Sequence, residues 1–194
     1  RMTTMGVSGT YKVAITNVVN TPKIWDGTAA TYSNMGGSPG VSIASAVAAN
    51  RLLLLQPHDI VKVSEFNNPE VYHSGSGFTV RLIDGGDLMV GIDRLTRTSV
   101  AIIGDESQWV GRAQSGSNPF RFERIDDKPG PLSSACIVRY GNAVYWLGQD
   151  YNVYRFDGVT CQEIGWAMKP FVKSNMSFSN EKMSHGAYHD RIGK

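Results

Sequence analysis

Two histidines have the spacing of a metal-binding pair. His185 and His189 are four residues apart, which on a helix would place both imidazoles on one face. Gly186 lies between them and the flanking residues are strand-like, which disfavours a helix. No glutamate occupies the general-base position of a zinc peptidase motif. The sequence therefore predicts no metal site and no cofactor.

Paired carboxylates are the other group of residues that could do chemistry. The candidates on predicted loops are Asp105, Glu106, Asp126 and Asp127. Glycosidases use two carboxyl groups about 5–10 Å apart, a separation that a sequence cannot supply. Asp105 and Glu106 lie in a predicted hairpin turn, where polar residues are expected anyway. We expect no catalytic residue and no enzymatic activity, with a carbohydrate-cleaving site as the alternative.

Three further motifs are better explained by loops and turns. Gly75-Ser76-Gly77 lacks the spacing of a serine hydrolase elbow and predicts a loop. Asp26-Gly27 and Asp84-Gly85-Gly86-Asp87 contain fewer carboxylates than a calcium loop needs. Turn chemistry accounts for both, because aspartate and glycine favour tight turns.

Phenylalanine alternates with charged residues in the segment 118–124. On a strand, Phe120 and Phe122 share one face, and such residues could stack on nucleic-acid bases. The neighbouring Asp126 and Asp127 cancel the positive charge. The segment therefore predicts an ordinary amphipathic strand.

A repeat indicates which elements must position these residues. Residues 100–110 align without a gap on residues 144–154, and in both copies an apolar run ends at a glycine, followed by polar residues and a new strand. A period of about 40–50 residues is typical of four-stranded propeller blades. Ile24-Trp25-Asp26-Gly27 also matches Arg155-Phe156-Asp157-Gly158, about three periods later.

The pattern predicts an all-β, propeller-like fold built from antiparallel hairpins that repeat about every 44 residues. We expect a single domain that is an incomplete part of a larger propeller. Its approximate units are 9–40, 41–77, 78–128 and 132–166, and a further unit starts near 186. Residues 41–49 are predicted as a strand rather than a short helix. Residues 168–182 are the best helix candidate.

Composition limits the function classes. The 194 residues carry a net charge of +2, which argues against a dedicated nucleic-acid binder. The longest apolar stretches are far shorter than a membrane span, so no membrane-spanning segment is predicted. Cys136 and Cys161 are expected to be buried thiols, although spacing alone leaves a bridge open. Because the chain opens on Arg1 and ends at Lys194, we expect a fragment of a longer protein.

The order of several motifs resembles the order found in one known family. In chain order the motifs are Ile24-Trp25-Asp26-Gly27, Asn50-Arg51-Leu52, Val63-Ser64-Glu65-Phe66, Gly86-Asp87-Leu88-Met89-Val90-Gly91, Ile102-Ile103-Gly104, a glycine-serine loop at 113–117, Pro131-Leu132-Ser133-Ser134, Tyr145-Trp146-Leu147-Gly148 and residues 153–158. Over about residues 10–192 this order resembles the tail hub or nozzle proteins of short-tailed bacteriophages, often called packaged-DNA stabilisation proteins.

The resemblance implies a virion structural protein of a phage tail with a propeller-like body. Such proteins assemble in the host cytoplasm as a homo-oligomeric ring, usually a hexamer, below the portal and its adaptor. They contact other tail proteins, stabilise packaged DNA and conduct it during ejection, with transient non-specific contact with the DNA. The family has no catalytic residues to transfer. The alternatives are a carbohydrate-cleaving propeller and a carbohydrate-binding or protein-binding module.

Overall fold

A computed structural model describes residues 2–7, 9–73, 75–82, 87–176 and 184–187. Within them, sixteen strands form four antiparallel sheets of four strands each. Sheet I contains β1 (Met2–Val7), β2 (Thr10–Ile15), β3 (Lys23–Trp25) and β4 (Ser33–Asn34), and sheet II contains β5 (Ala44–Ala48), β6 (Arg51–Leu55), β7 (Ile60–Val63) and β8 (Phe78–Arg81). Sheet III contains β9 (Met89–Arg94), β10 (Ser99–Gly104), β11 (Gln108–Ala113) and β12 (Phe120–Asp126), and sheet IV contains β13 (Val138–Tyr140), β14 (Ala143–Leu147), β15 (Val153–Phe156) and β16 (Cys161–Glu163). A 3₁₀ turn at Ser134–Cys136 precedes β13, and α1 (Lys169–Asn175) follows sheet IV.

This architecture confirms the predicted all-β class and its repeated antiparallel hairpins. The two copies of the long repeat are the β10–β11 and β14–β15 hairpins, which are the second and third strands of neighbouring sheets. Their pairing differs by one residue: Ile103 pairs with Gln108, whereas Leu147 pairs with Val153 rather than with the equivalent Asn152. The strand predicted at 41–49 is also confirmed, as β5.

Some boundaries differ from the predicted units. The strand Met2–Val7 pairs along its whole length with β2, so sheet I begins before residue 9. The strand Phe78–Arg81 pairs with β7 and closes sheet II instead of opening the third unit. Within the predicted unit 132–166, Ser134–Cys136 forms a 3₁₀ turn before the first strand of sheet IV. The helix predicted at 168–182 is observed at Lys169–Asn175, and residues 177–182 lie outside the described residues.

Each sheet packs on the next one, because alternate side chains of a strand point to opposite faces. In β6, Leu52 and Leu54 belong to the cluster shared with sheet I, whereas Leu53 and Leu55 belong to the cluster shared with sheet III. In β10, Val100 and Ile102 point towards sheet II while Ala101 and Ile103 point towards sheet IV. A continuous apolar run is thus buried on both faces, as in the middle of any layered sheet structure.

The shorter repeat marks equivalent turns after the third strands of sheets I and IV. Asp26 Oδ1 accepts the amide hydrogens of Thr28 and Ala29 at 2.9 and 3.0 Å. Asp157 Oδ1 accepts those of Val159 and Thr160 at 3.0 Å each. The glycines that follow have φ of +85° and +86°, which a residue with a side chain rarely adopts. The turn interpretation of Asp26-Gly27 is therefore confirmed.

The first strands of all four sheets meet at one polar cavity of about 200 Å³. Its lining residues are Met2, Thr3 and Thr4 of β1, Ser45, Ala46 and Val47 of β5, Asp93 and Arg94 of β9, and Arg139 of β13. Thr3 Oγ1 and Ser45 Oγ, on adjacent first strands, are 2.8 Å apart. The strands on which the four sheets converge are therefore held together partly by polar contacts.

Candidate functional site: two uncovered apolar sheet faces

The face of sheet IV that points away from sheet III packs on no other sheet of the described residues, and its apolar part lines a cavity of about 440 Å³. In β14, Val144 and Trp146 point into the core shared with sheet III, so the intervening side chains point the opposite way. The strand side chains that line this cavity on the outer face are Val138, Tyr140, Tyr145, Leu147 and Val153. We name this surface the sheet IV face. Its side chains are aliphatic or aromatic, like those of the clusters between the sheets.

The segment 184–187 lies across one edge of the sheet IV face. The amide of Gly186 donates to the carbonyl of Ala135 at 2.9 Å, and Ser133 Oγ donates to the carbonyl of Ser184 at 2.6 Å. A Cβ atom at Gly186 would lie 2.5 Å from the Val138 side chain, so only a glycine allows this close approach. The segment therefore narrows the apolar cavity while leaving residues such as Tyr140 half exposed.

The opposite end of the stack has a second apolar face on which no other sheet of the described residues packs. In sheet I, Ala14 and Ile24 point into the core shared with sheet II, so their strand neighbours point outwards. The outward residues Met2, Val13, Ile15, Trp25 and Tyr32 line a cavity of about 370 Å³, together with the turn at 29–31. The indole Nε1 of Trp25 donates to the carbonyl of Ala29 at 2.7 Å. This bond fixes the aromatic ring on the surface that we name the sheet I face.

The two faces are complementary in kind. At each of the three internal interfaces, the face of one sheet that points towards the next sheet in chain order packs on the face of that next sheet that points back, and all three interfaces are apolar. The sheet IV face is of the first kind, and the sheet I face is of the second kind. Contiguous exposed apolar surface of this kind marks interaction sites in soluble proteins. Both end faces are therefore candidate interaction sites.

The four predicted carboxylates have different surroundings. Burial and the neighbouring Asp87 raise the pKa of Asp105, whose Oδ1 accepts a hydrogen bond from Gln149 at 3.1 Å. Asp87 itself accepts from the Glu106 amide at 3.1 Å and from the Ser107 hydroxyl. The remaining two, at the end of β12, bind locally: Asp127 forms an ion pair with Arg124 at 2.6 Å, and Asp126 accepts the Asp127 amide. These contacts mainly stabilise turns.

The predicted absence of a metal site stays a prediction. His185 lies in the segment on the sheet IV face, whereas its proposed partner His189 lies outside the described residues. The segment Asp84-Gly85-Gly86 also lies outside them. Within the described ranges, no three or more histidine, cysteine, aspartate or glutamate residues are placed to hold one ion.

The serine of the glycine-rich loop has a structural contact. Ser76 accepts a hydrogen bond at its hydroxyl from Arg51 Nη2 at 2.8 Å, and its carbonyl accepts one from Nη1 at 3.0 Å. Arg51 is 7% exposed and also donates to the Ser64 carbonyl at 2.7 Å. The guanidinium thereby joins the loop to the β6 and β7 strands, in agreement with the loop interpretation.

Both cysteines are buried and unbridged, as expected. Burial and, to a smaller extent, the charge of Asp126 raise the pKa of Cys161 to about 12. A thiol with such a pKa is protonated at neutral pH, and a protonated thiol is a poor nucleophile. Cys136 Sγ lies 3.3 Å from the carbonyl of Ser184, beside the edge of the sheet IV face. Cys161 therefore has the properties of a core residue.

An ion pair and hydrogen bonds at Asp150 attach α1 to sheet IV. Its Oδ2 accepts hydrogen bonds from Lys169 Nζ at 2.7 Å and from the Tyr154 hydroxyl at 3.0 Å. Although burial opposes the change, these bonds and the amide of Asn152 lower the pKa of Asp150. Tyr154 in turn stacks on Trp146 with ring centroids 5.5 Å apart. The last sheet is thus internally well ordered although its outer face is uncovered.

The sequence predicts the strands of the candidate site, but it does not predict that the sheet I face and the sheet IV face lack a neighbouring sheet among the described residues. Alternation along 143–147 shows that Tyr145 and Leu147 share a face, yet it does not show what covers that face. The signal that could have found it is position in the repeat, because the first and last units of a stack each lack one neighbour.

The sequence matches no protein-family model and none of the curated proteins with which it was compared. Of the helices in the described ranges, none combines the length and apolar composition that crossing a membrane requires.

Proposed function

We propose that this chain is a structural component of a bacteriophage tail, part of the hub or nozzle that stabilises packaged DNA and conducts it during ejection. The observation that carries the proposal is a pair of apolar faces, at the two ends of a repeated sheet stack, that no sheet of the described residues covers. Assembly proteins need such faces, since burial of apolar surface drives association. The motif order described above supplies the phage-tail part of the proposal.

The sheet arrangement supports a propeller-like body. Four meanders follow one another along the chain, each packs on the next, and their first strands meet at a shared polar cavity. In a propeller, the first strand of each blade lies at the axis and the meander runs outwards. We propose that sheets I–IV are four blades of such a body and that further blades or subunits cover both end faces.

The proposed role also includes a homo-oligomeric ring below the portal and its adaptor, located in the virion. The test is electron microscopy of the full chain at high concentration, with and without a portal–adaptor complex. We expect rings that enclose a channel wide enough for duplex DNA, about 20 Å across. Compact single particles in both samples, with no density added to the portal complex, would contradict the tail role.

A carbohydrate-cleaving propeller is the second candidate, and one observation favours it. Asp105 has a raised pKa beside a second carboxylate, Asp87, a combination typical of general acids in glycosidases. Its hydrogen bond from Gln149 competes with such a role. Release of reducing sugar from bacterial surface polysaccharide, abolished by Asp105→Asn, would favour this candidate. Absence of release by the wild-type chain would exclude it.

A further inference from the structure

We propose that the hairpin turns of sheets III and IV form a binding site for the phosphate groups of a polyanion. The site is a cavity of about 460 Å³ lined by Arg94, Leu95, Thr96, Arg97, Thr98, Arg139 and Asn142. Three of the described residues that line it are arginines, and none of them is aspartate or glutamate. This inference stands independently of the proposed role in a phage tail.

Two neighbouring hairpins position the arginines. Arg94 ends β9 and Arg97 lies in the turn to β10, while Arg139 lies in β13 just before the turn to β14. The carbonyl of Arg97 accepts the amide of Ala49 at 2.7 Å, which fixes this turn against sheet II. Residues distant in the sequence thus converge only in the folded chain, which explains why no basic motif is visible in the sequence.

The guanidinium groups are available for a ligand. Within the described residues, neither Arg94 nor Arg97 has a hydrogen bond or ion pair from its side chain, and Arg139 uses only Nε, which donates to the Gly141 carbonyl at 3.2 Å. Compare Arg51, whose side chain makes three hydrogen bonds. The terminal nitrogens of the three lining arginines therefore remain able to donate to an anion.

Local charge and hydroxyl groups favour phosphate. The nearest carboxylate on these elements is Asp93, which lines the adjoining polar cavity and accepts the Arg94 amide at 2.7 Å. Thr96 and Thr98 also line the cavity and add hydroxyl donors, and Thr96 Oγ1 lies 2.7 Å from Ser99 Oγ. Arginine forks match the geometry of phosphate oxygens and bind them with two parallel hydrogen bonds.

Two sources could supply this chemistry: the backbone of duplex DNA, or a free phosphate compound. The test measures binding of a fluorescein-labelled 20-base-pair duplex by anisotropy and of inorganic pyrophosphate by calorimetry, using the full chain. The variant Arg94→Gln/Arg97→Gln/Arg139→Gln removes the site. Its control, Arg81→Gln/Arg121→Gln/Lys173→Gln, removes the same charge elsewhere, from exposed residues outside this cavity.

We expect the site variant to lose at least about tenfold in affinity for one of the two probes at about 50 mM salt, and the control to lose little. If the duplex is the ligand, the slope of log affinity against log salt should fall by about 2–3, since each neutralised phosphate contributes about 0.9. Loss with pyrophosphate alone would identify a free phosphate compound as the ligand.

The proposal is overturned if neither probe binds, or if the control triple variant loses as much affinity as the site variant. The double variant Arg94→Gln/Arg97→Gln guards against misfolding, because neither side chain forms a hydrogen bond or ion pair within the described part of the chain. It should keep the thermal unfolding midpoint of the wild type and lose several-fold in affinity. An unchanged affinity of this folded double variant would also overturn the proposal.

Discussion

The second strand of sheet II and the second strand of sheet IV occupy equivalent places but have different surroundings. All five residues of β6 are buried, because sheets I and III cover both of its faces. In β14, Val144 and Trp146 are buried, whereas Tyr145 and Leu147 are only partly covered. Both strands carry apolar residues on both faces. The difference shows that position in the stack, and not local sequence, decides which apolar residues remain available for a partner.

The largest expected difference in stability is between a leucine-to-alanine substitution in β6 and the same substitution in β14. Leu53→Ala should lower the free energy of unfolding by about 3–5 kcal/mol, because it leaves a cavity between sheets II and III. Leu147→Ala should cost about 1 kcal/mol or less in the isolated chain, since its side chain lies on the sheet IV face. Urea unfolding of both variants measures the difference. Equal losses would contradict the distinction between covered and uncovered strands.

The same comparison can be made between two arginines, one whose side chain is hydrogen-bonded within the fold and one that lines the arginine cavity. Arg51→Gln should lower the free energy of unfolding by about 2–3 kcal/mol, because it leaves buried carbonyl groups without donors. Arg94→Gln should change it by less than about 0.5 kcal/mol, as expected for a side chain with no hydrogen bond or ion pair to a described residue. Thermal and urea unfolding provide the readout. A comparable loss in Arg94→Gln would mean that this side chain stabilises the fold.

Substitutions at Asp26 and Asp157 test whether the two equivalent turns stabilise the fold through the same contacts. Asp157→Ala removes the acceptor of two amide hydrogen bonds and should cost about 1–2 kcal/mol. Asp157→Asn keeps an oxygen acceptor at this position and should retain most of that stability. Asp26→Ala in the equivalent turn of sheet I should behave in the same direction. Opposite results in the two turns would contradict their equivalence.

The smallest effect concerns pH. Burial and Asp87 raise the pKa of Asp105 in the folded chain, so the folded state binds its proton more tightly than the unfolded state. The resulting stabilisation is complete below the unfolded pKa and is lost as the pH rises through the folded pKa. Asp105→Asn stays neutral, so its stability relative to wild type should increase as the pH rises from about 3 to about 7.

This gain should be below about 1 kcal/mol, because Asp105 is partly exposed and solvent screens its charge. Unfolding by urea at a series of pH values measures it. A variant that becomes less stable relative to wild type as the pH rises would show that the ionised carboxylate is stabilising.

Much of the fold was predictable from the sequence because its signals are local. Alternation and turn residues identified the β10–β11 and β14–β15 hairpins, and Asp-Gly identified equivalent turns. The boundary errors have physical causes. Met2–Val7 has little apolar alternation and is a strand because it pairs with β2. Phe78–Arg81 joins sheet II across a long loop, and no local pattern shows which strand it will pair with.

The candidate sites were less predictable because they depend on convergence in space. The sheet IV face combines residues from β13, β14, β15 and the segment 184–187. The arginine cavity combines residues from two hairpins more than 40 residues apart. Neither set forms a sequence motif. The carboxylates that the sequence offers as catalytic candidates mainly stabilise turns. Of the histidine pair, His189 lies outside the described residues.

The central claim is that the uncovered end faces mediate assembly, and sedimentation equilibrium tests it most directly. The wild-type chain and Leu147→Asp/Val153→Asp are compared over a wide concentration range, with circular dichroism to verify the fold. We expect the wild type to form species heavier than the 21.2 kDa chain as concentration rises, and the variant to remain at 21.2 kDa. A wild-type chain that stays at this mass throughout would contradict self-assembly through the end faces, and a variant that assembles equally well would contradict the part of the sheet IV face in it.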